Sequence, residues 1–235
     1  MGSKRLPGKS MMELAGVPLI SRIFERVSRC KTPNRIVLAT TSLPSDDVLA
    51  IEAKKYSINV HRGSENDLVD RYYHCAKRFG ADIVLRLPGD NPLPEPEEID
   101  RLSHFHCQNE AAFSSNITNF MGNGYPDGIG IEAINIDALE HVWKNENNFS
   151  RREHVASNFV DYAAGVQVNP IFKVETLLCQ NEIQRPDIVL DVNTMSEYLY
   201  IKQIYDYFMP KNKLFGIRDV IKWHDSFYKV NDLKG

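Results

Sequence analysis

Short apolar runs alternate along the chain with segments whose apolar residues recur at helical spacing. Residues 35–41 form a compact, mostly apolar run of the kind found in buried parallel strands. Residues 58–60 and 82–87 read the same way. Between them, Leu19, Ile20, Ile23, Phe24 and Val27 fall on one helical face, and Leu68, Val69, Tyr72, Tyr73 and Ala76 on another. Strands separated by helices of this length predict right-handed βαβ units and a parallel sheet. The rhythm breaks over residues 111–136, where strands at 112–115 and 129–134 flank a loop rich in Gly, Asn and Pro. A helix starting at Asp137 carries Leu139, Val142 and Trp143, and another is predicted over roughly 151–162. Residues 188–192 read as a strand. Thr194 then caps a long helix, with Glu197 completing a capping box and Tyr198, Ile201, Ile204, Tyr205 and Phe208 on its buried face. A last helix is predicted over 217–223.

No repeat and no flexible linker divides the 235 residues, so residues 1–235 read as one domain with room for a substantial core. Lys and Arg number 28 against 31 Asp and Glu, a net charge of −3. That balance argues against general nucleic-acid binding, which needs a basic face. The apolar runs are too short to cross a bilayer, and the N-terminus lacks the apolar core of a signal peptide. Cys30, Cys75, Cys107 and Cys179 show no CxxC spacing. Scattered single cysteines suit a reducing compartment, so a cytoplasmic location is expected.

Several segments have the composition of chemical sites. The stretch from Gly2 to Lys9 combines two glycines, Gly2 and Gly8, with the cations Lys4, Arg5 and Lys9. Backbone N–H groups and cations in such a loop suit phosphate oxygens; the competing reading is a solvated basic tail. It is not a Walker loop, because Ser3 stands where that pattern requires glycine. Asp90 directly follows the strand at 82–87, the position where ligands bind in open α/β sheets, and a carboxylate there suits Mg²⁺. The alternative is a plain Gly-Asp turn. Asp191 and Asn193 lie two apart at another strand end and so point the same way; either offers a second metal oxygen, or both merely serve the helix cap. Asp127 and Glu132, and the cluster Arg151, Arg152, Glu153 and His154, are candidates for a polar pocket. The other histidines show no metal spacing.

Together these segments resemble the CTP-dependent sugar cytidylyltransferases, which include the acylneuraminate and 3-deoxy-manno-octulosonate enzymes. The similarity is greater to the branch typified by the spore-coat polysaccharide biosynthesis cytidylyltransferase. It is carried in order by the loop at 2–9, Ser45-Asp46-Asp47, residues 62–73, Gly89-Asp90-Asn91-Pro92-Leu93, Tyr125-Pro126-Asp127-Gly128 and Arg152-Glu153-His154-Val155. The resemblance implies a three-layer α/β/α nucleotidyltransferase fold, Rossmann-like, with a mostly parallel sheet. It implies attack by an acceptor oxygen on the α-phosphorus of CTP with loss of pyrophosphate, serving surface-glycan synthesis. Carried over by position, Gly2, Ser3, Lys4, Arg5, Gly8, Lys9 and Arg86 would bind the nucleotide, with Arg5, Lys9 and Asp90 catalytic. Asp90, Asp191 and Asn193 would hold Mg²⁺, and Asp127, Glu132, Arg152 and His154 would face a sugar-like acceptor. A homodimer is implied as well.

Two departures from the pattern matter. Family members carry a hydrophobic strand ending in Gln-Ala-Arg just before the position of Met1, so the natural chain is expected to start upstream. Without that strand the sheet is expected to keep two unpaired edges. The family's strand-end motif begins with Asp where this chain has Asn193, a weaker Mg²⁺ ligand. Two other readings stand beside the cytidylyltransferase: a non-catalytic or shortened relative that binds a nucleotide, and a nucleotidyltransferase using another base or a phosphorylated small molecule.

Overall fold

The computed structural model describes residues 2–3, 5–117 and 120–232, with side chains to residue 227. The loop at 2–8 runs into a 3₁₀ turn at Lys9–Met11 and a small hairpin, β1 (Glu13–Leu14) and β2 (Val17–Pro18). There follow α1 (Leu19–Val27), β3 (Val37–Thr41), α2 (Asp47–Lys55), β4 (Asn59–Gly63), α3 (Leu68–Phe79) and β5 (Ile83–Arg86). Next come α4 (Pro96–Gln108), β6 (Phe113–Ser115), β7 (Glu132–Asn135), α5 (Ile136–Asn145) and α6 (Phe149–Glu153). The chain ends with β8 (Val160–Asp161), β9 (Val166–Gln167), β10 (Val174–Thr176), α7 (Met195–Phe208) and α8 (Ile217–Asp232).

β3 and β4 pair in parallel, and a four-stranded sheet has the order β10-β6-β7-β5. Only β7 runs against its neighbours there; β5, β6 and β10 share one direction. The sheet is therefore mixed, with parallel strands predominating. Among the described residues β3 pairs only with β4 and β5 only with β7, so each keeps an edge outside any ladder. Val37, Leu38, Ile83 and Leu85 are accordingly half-buried, where strands of a covered parallel sheet are usually buried on both faces.

Strand alternation divides the core in two. Ile83, Leu85 and Ala133 face a large cluster with Ile20, Ile23 and Phe24 of α1, Leu102 of α4, Ile201 of α7 and Val220 of α8. Val84 and Ile134 face a second cluster with Val69 and Tyr73 of α3, Leu139 and Val142 of α5, and Phe113 and Phe159. Period-2 side chains on the strands thus feed helical layers on both faces. No helix among the described residues is long and apolar enough to cross a membrane.

The predicted helices at α1, α3, α5, α7 and α8 are present, and Thr194 and Glu197 form the capping box of α7. Two predictions need correction. Residues 151–162 are not one helix: α6 stops at Glu153, a 3₁₀ turn spans Val155–Asn158, and β8 follows. Asn158 Nδ2 donates to Arg151 O (2.9 Å) and Val155 O (3.0 Å), closing that compact turn. Val155, Phe159 and Val160 are still buried, so the apolar spacing was real but served a tighter path. Residues 188–192 are extended without forming a strand, because successive residues bond to different segments. Asp127 N donates to Ile188 O (2.9 Å), Leu190 N to Asp127 O (3.0 Å) and Val192 N to Asp90 O (2.8 Å). One isolated bridge, Asp127 to Val189, is left.

Two expectations test this frame. Gly128 has φ 85° and packs so closely that an added Cβ would lie 2.5 Å from Asp191 N and from the Leu190 carbonyl carbon. Gly128→Ala should therefore cost roughly 1–3 kcal/mol, read as a lower urea midpoint. His106, buried in α4, bridges Ser114 Oγ (2.8 Å) and Asn135 Oδ1 (2.9 Å). Burial holds its pKa below the ordinary 6.5, although the Asn135 contact pulls the other way. Because the folded value is depressed, the unfolded chain binds the proton first on acidification. Stability should be intact above about 6.5 and fall as pH drops through the folded value; His106→Gln should flatten that slope in denaturant titrations.

Candidate active site

The N-terminal loop is placed by its turns. Gly8 takes the left-handed conformation (φ 73°, ψ 8°), which a side chain would disfavour. Ser3 Oγ accepts from Leu6 N (3.2 Å), and Leu6 is buried in the core. The loop is thereby folded back over the strand ends, and it is not a free tail.

There Lys9 Nζ donates to Asp90 Oδ2 (2.8 Å) and Val192 O (2.6 Å) and lies 3.4 Å from Asn193 Oδ1. Arg5 Nη2 donates to Asn193 Oδ1 (2.7 Å). Asn193 Nδ2 in turn donates to Asp191 Oδ2, and Asn193 N to Glu197 Oε2 (2.7 Å). The loop, the end of the β5 segment and the start of α7 thus meet at one point. Asp127 joins them through its backbone bonds to 188–190. Burial, with the charges of Asp127, Asp90 and Glu197, pushes the Asp191 carboxyl up to about 6, against the opposing pull of Lys9.

Oxygen donors here are the carboxylates of Asp90 and Asp191, the Asn193 amide and the Val192 carbonyl, all hard ligands. Among the described residues no three His, Cys, Asp or Glu side chains gather closely enough to hold a metal ion by themselves. Burial first, and then the charges of Asp127, Asp90 and Glu197, raise the Asp191 carboxyl, so negative charge is gathered at this tip.

Arg86 lies elsewhere than the loop. The antiparallel register of β5 and β7 sets it opposite Glu132, and Arg86 Nη1 donates to Glu132 Oε2 (2.7 Å). Tyr162 hydroxyl bridges Glu132 Oε1 (2.9 Å) and Ser115 Oγ (3.0 Å). Burial disfavours the Arg86 charge, but Glu132 more than restores it; burial and the same carboxylate hold the Tyr162 hydroxyl well above its ordinary range. Arg86 Nε is buried without a hydrogen-bond partner. Arg86, Glu132 and Tyr162 line a cleft of about 620 Å³ together with Arg151, His154 and Asp161.

The predicted residues therefore sort into two places. Arg5, Lys9, Asp90, Asp191, Asn193 and Asp127 converge on the strand tips, with Gly2, Ser3 and Gly8 in the covering loop; Lys4 lies outside the described residues. Arg86, Glu132 and His154 belong to the cleft. Arg152 is engaged away from both, donating from Nε to Asp67 Oδ2 (2.6 Å) and from Nη1 to Trp143 O (3.0 Å) and Glu146 O (2.8 Å). Sequence reasoning missed Tyr162 and Ser115, and it placed Asp127 on the acceptor side. The Arg86–Glu132 pairing was readable in principle, as opposite charges ending two strands; nothing in the sequence marked Tyr162. Tyr125, fully buried, anchors the 125–128 segment through its hydroxyl to Glu98 of α4.

Comparison with known proteins agrees with this architecture. The family model described as cytidylyltransferase matches residues 1–206. The spore coat polysaccharide biosynthesis protein SpsF of Bacillus subtilis is 27% identical over 212 residues, covering 87% of this chain and 82% of that protein. A solved cytidylyltransferase structure from Leptospira borgpetersenii superposes with a TM-score of 0.86 at 28% identity, covering 98% of this chain and 92% of that one. The CTP complex of CMP:2-keto-3-deoxy-manno-octonic acid synthetase shares the fold, with a TM-score of 0.61 at 15% identity over 88% and 95% of the two chains. With its family model spanning most of the sequence and a fold to match, this chain belongs to the cytidylyltransferase family.

Proposed function

We propose that the protein transfers a cytidylyl group from CTP to a sugar or sugar-acid acceptor, as one domain acting in the synthesis of surface glycans. The acceptor oxygen forms a bond to the α-phosphorus, the bond from that phosphorus to the bridging oxygen breaks, and pyrophosphate leaves with the electron pair. One observation carries the reading: a cationic loop lies across an acidic strand tip, and the segment 86–90 joins that tip to a polar cleft.

Such transfers need positioning and charge neutralisation more than covalent help. Arg5 and Lys9 would grip triphosphate oxygens, and the loop N–H groups would add to that hold. Asp90 and Asp191, with Asn193, fit a Mg²⁺ ion in kind, and the ion would offset charge growing on the pyrophosphate. In the cleft both Glu132 oxygens are already used by Arg86 and Tyr162, and Arg151 and His154 line it together with the Asp161 carboxylate. Arg151 on that lining would suit an acceptor that brings a carboxylate or phosphate. The already ionised oxygen of such a group would need no strong base.

Pyrophosphate release is expected with CTP, Mg²⁺ and a sugar-acid acceptor from a panel; stabilisation of the protein by ATP or GTP over CTP in thermal shifts would overturn the choice of base. Asp90→Asn should lower turnover by about 10²–10³-fold without unfolding the chain. Arg151→Ala should raise KM for an anionic acceptor about tenfold while KM for CTP stays constant, as steady-state kinetics would show.

A further inference from the structure

The Lys9 ammonium occupies the point where the hard oxygens converge. Its three acceptors are a carboxylate, a backbone carbonyl and an amide oxygen, at 2.8, 2.6 and 3.4 Å. They come from segments 81 and more than 180 residues away in sequence. An ammonium has three N–H donors, and all three directions are taken. Oxygens of these three kinds are also what Mg²⁺ or Mn²⁺ selects. The lysine side chain is only 12% exposed, so it is seated in the tip and not lying over it. With those three bonds made, the Lys9 ammonium has no further N–H for a phosphate.

We infer that Lys9 is a resident cation, which holds the strand tips together in the ligand-free protein and yields their oxygens to a divalent cation when a nucleotide triphosphate takes up its ammonium. The inference rests on the reading of the tip as a metal and nucleotide site. Its physical basis is charge. Lys9 pairs with Asp90 at 2.8 Å, beside the Asp191–Asn193 hydrogen bond, so its ammonium offsets part of the carboxylate charge gathered at the tip until a dication arrives. A divalent ion alone would have to displace Lys9 with nowhere for its charge to go, or bind beside it against repulsion. A metal arriving with a polyphosphate meets neither cost, because the phosphate oxygens accept the displaced ammonium. Metal and nucleotide should therefore enter together, and the metal should not enter first.

The test measures Mn²⁺ binding to the nucleotide-free protein by electron paramagnetic resonance, which needs no turnover. The native protein should bind Mn²⁺ weakly. Lys9→Met should bind it at least about tenfold more tightly, since one repelling charge has left a half-buried site, while its affinity for CTP falls. Lys9→Met combined with Asp90→Asn should lose the gain, which assigns the new affinity to this tip. Lys9→Gln, which keeps polarity without charge, provides a second variant should the methionine form fold poorly. If neither folded variant binds Mn²⁺ more tightly than the native protein, the inference is overturned. If a variant shows the gain while the native protein releases no pyrophosphate with any acceptor, only the proposed activity fails.

Discussion

The structure turns on the gathering of negative charge at the ends of two extended segments. Asp90, Asp127 and Asp191 are brought together by backbone bonds that leave their side chains no choice of neighbour: Asp127 N to Ile188 O, Leu190 N to Asp127 O and Val192 N to Asp90 O. Like charges held close in a partly dry place are costly, and the proton affinity of Asp191 records that cost. The compensation is drawn from far along the chain. Lys9 and Arg5 reach in from the N-terminal loop, and the Asn193 amide donates to Asp191. The position of the loop, the cap of α7 and the docking of Gly128 all serve this one electrostatic problem.

The cleft solves a different problem with the same strands. Arg86 closes β5 and Asp90 lies four residues on, a span of at most about 14 Å for an extended chain. Glu132 opens β7 and Asp127 lies five residues before it. Two short connections thus tie the acidic tip to the cleft floor. At the floor, Glu132 is almost wholly buried, and a carboxylate there is tolerable only because Arg86 and Tyr162 satisfy both its oxygens. The floor charge is thus paired, and the lining around it is mixed, with Arg151 and His154 beside the Asp161 carboxylate.

Much of this was legible in the chain. Alternating strand and helix signals located α1, α3, β3, β5 and α7, because each buries a face by a simple period, and Thr194 with Glu197 marked the start of α7 to the residue. The acidic tip was also legible, since Asp90, Asp191 and Asn193 sit at the ends of apolar runs. What was hidden depends on partners distant in sequence. The 151–162 segment has helical apolar spacing, yet Asn158 turns it by bonding back to Arg151 and Val155. Residues 188–192 look like a strand and are extended, but they bond to two separate segments and form no ladder. The helices α2 and α4 begin with charged or proline-rich turns and bury narrow faces, so their periodicity is weak. Tyr162 acquires its place only through a hairpin, β8–β9, that no local signal announces.

Asn193 looks like a defect when compared with the aspartate expected at that position, and the geometry gives it a reason. Its Oδ1 accepts from Arg5 and its Nδ2 donates to Asp191. An aspartate could accept from Arg5 but could not donate, and it would set a fourth carboxylate against Asp191, already crowded by Asp127, Asp90 and Glu197. In a tip where Lys9 provides a single buried positive charge, a neutral amide is the residue that links cation and carboxylate without adding to the repulsion. In the proposed metal site, Asp90 and Asp191 would be the charged ligands, with Asn193 offering only its carbonyl oxygen. On the proposed reading, a weaker ligand at 193 and an ammonium resident at the tip are two sides of one balance: fewer negative charges to hold a dication, and positive charge from the chain itself beside Asp90.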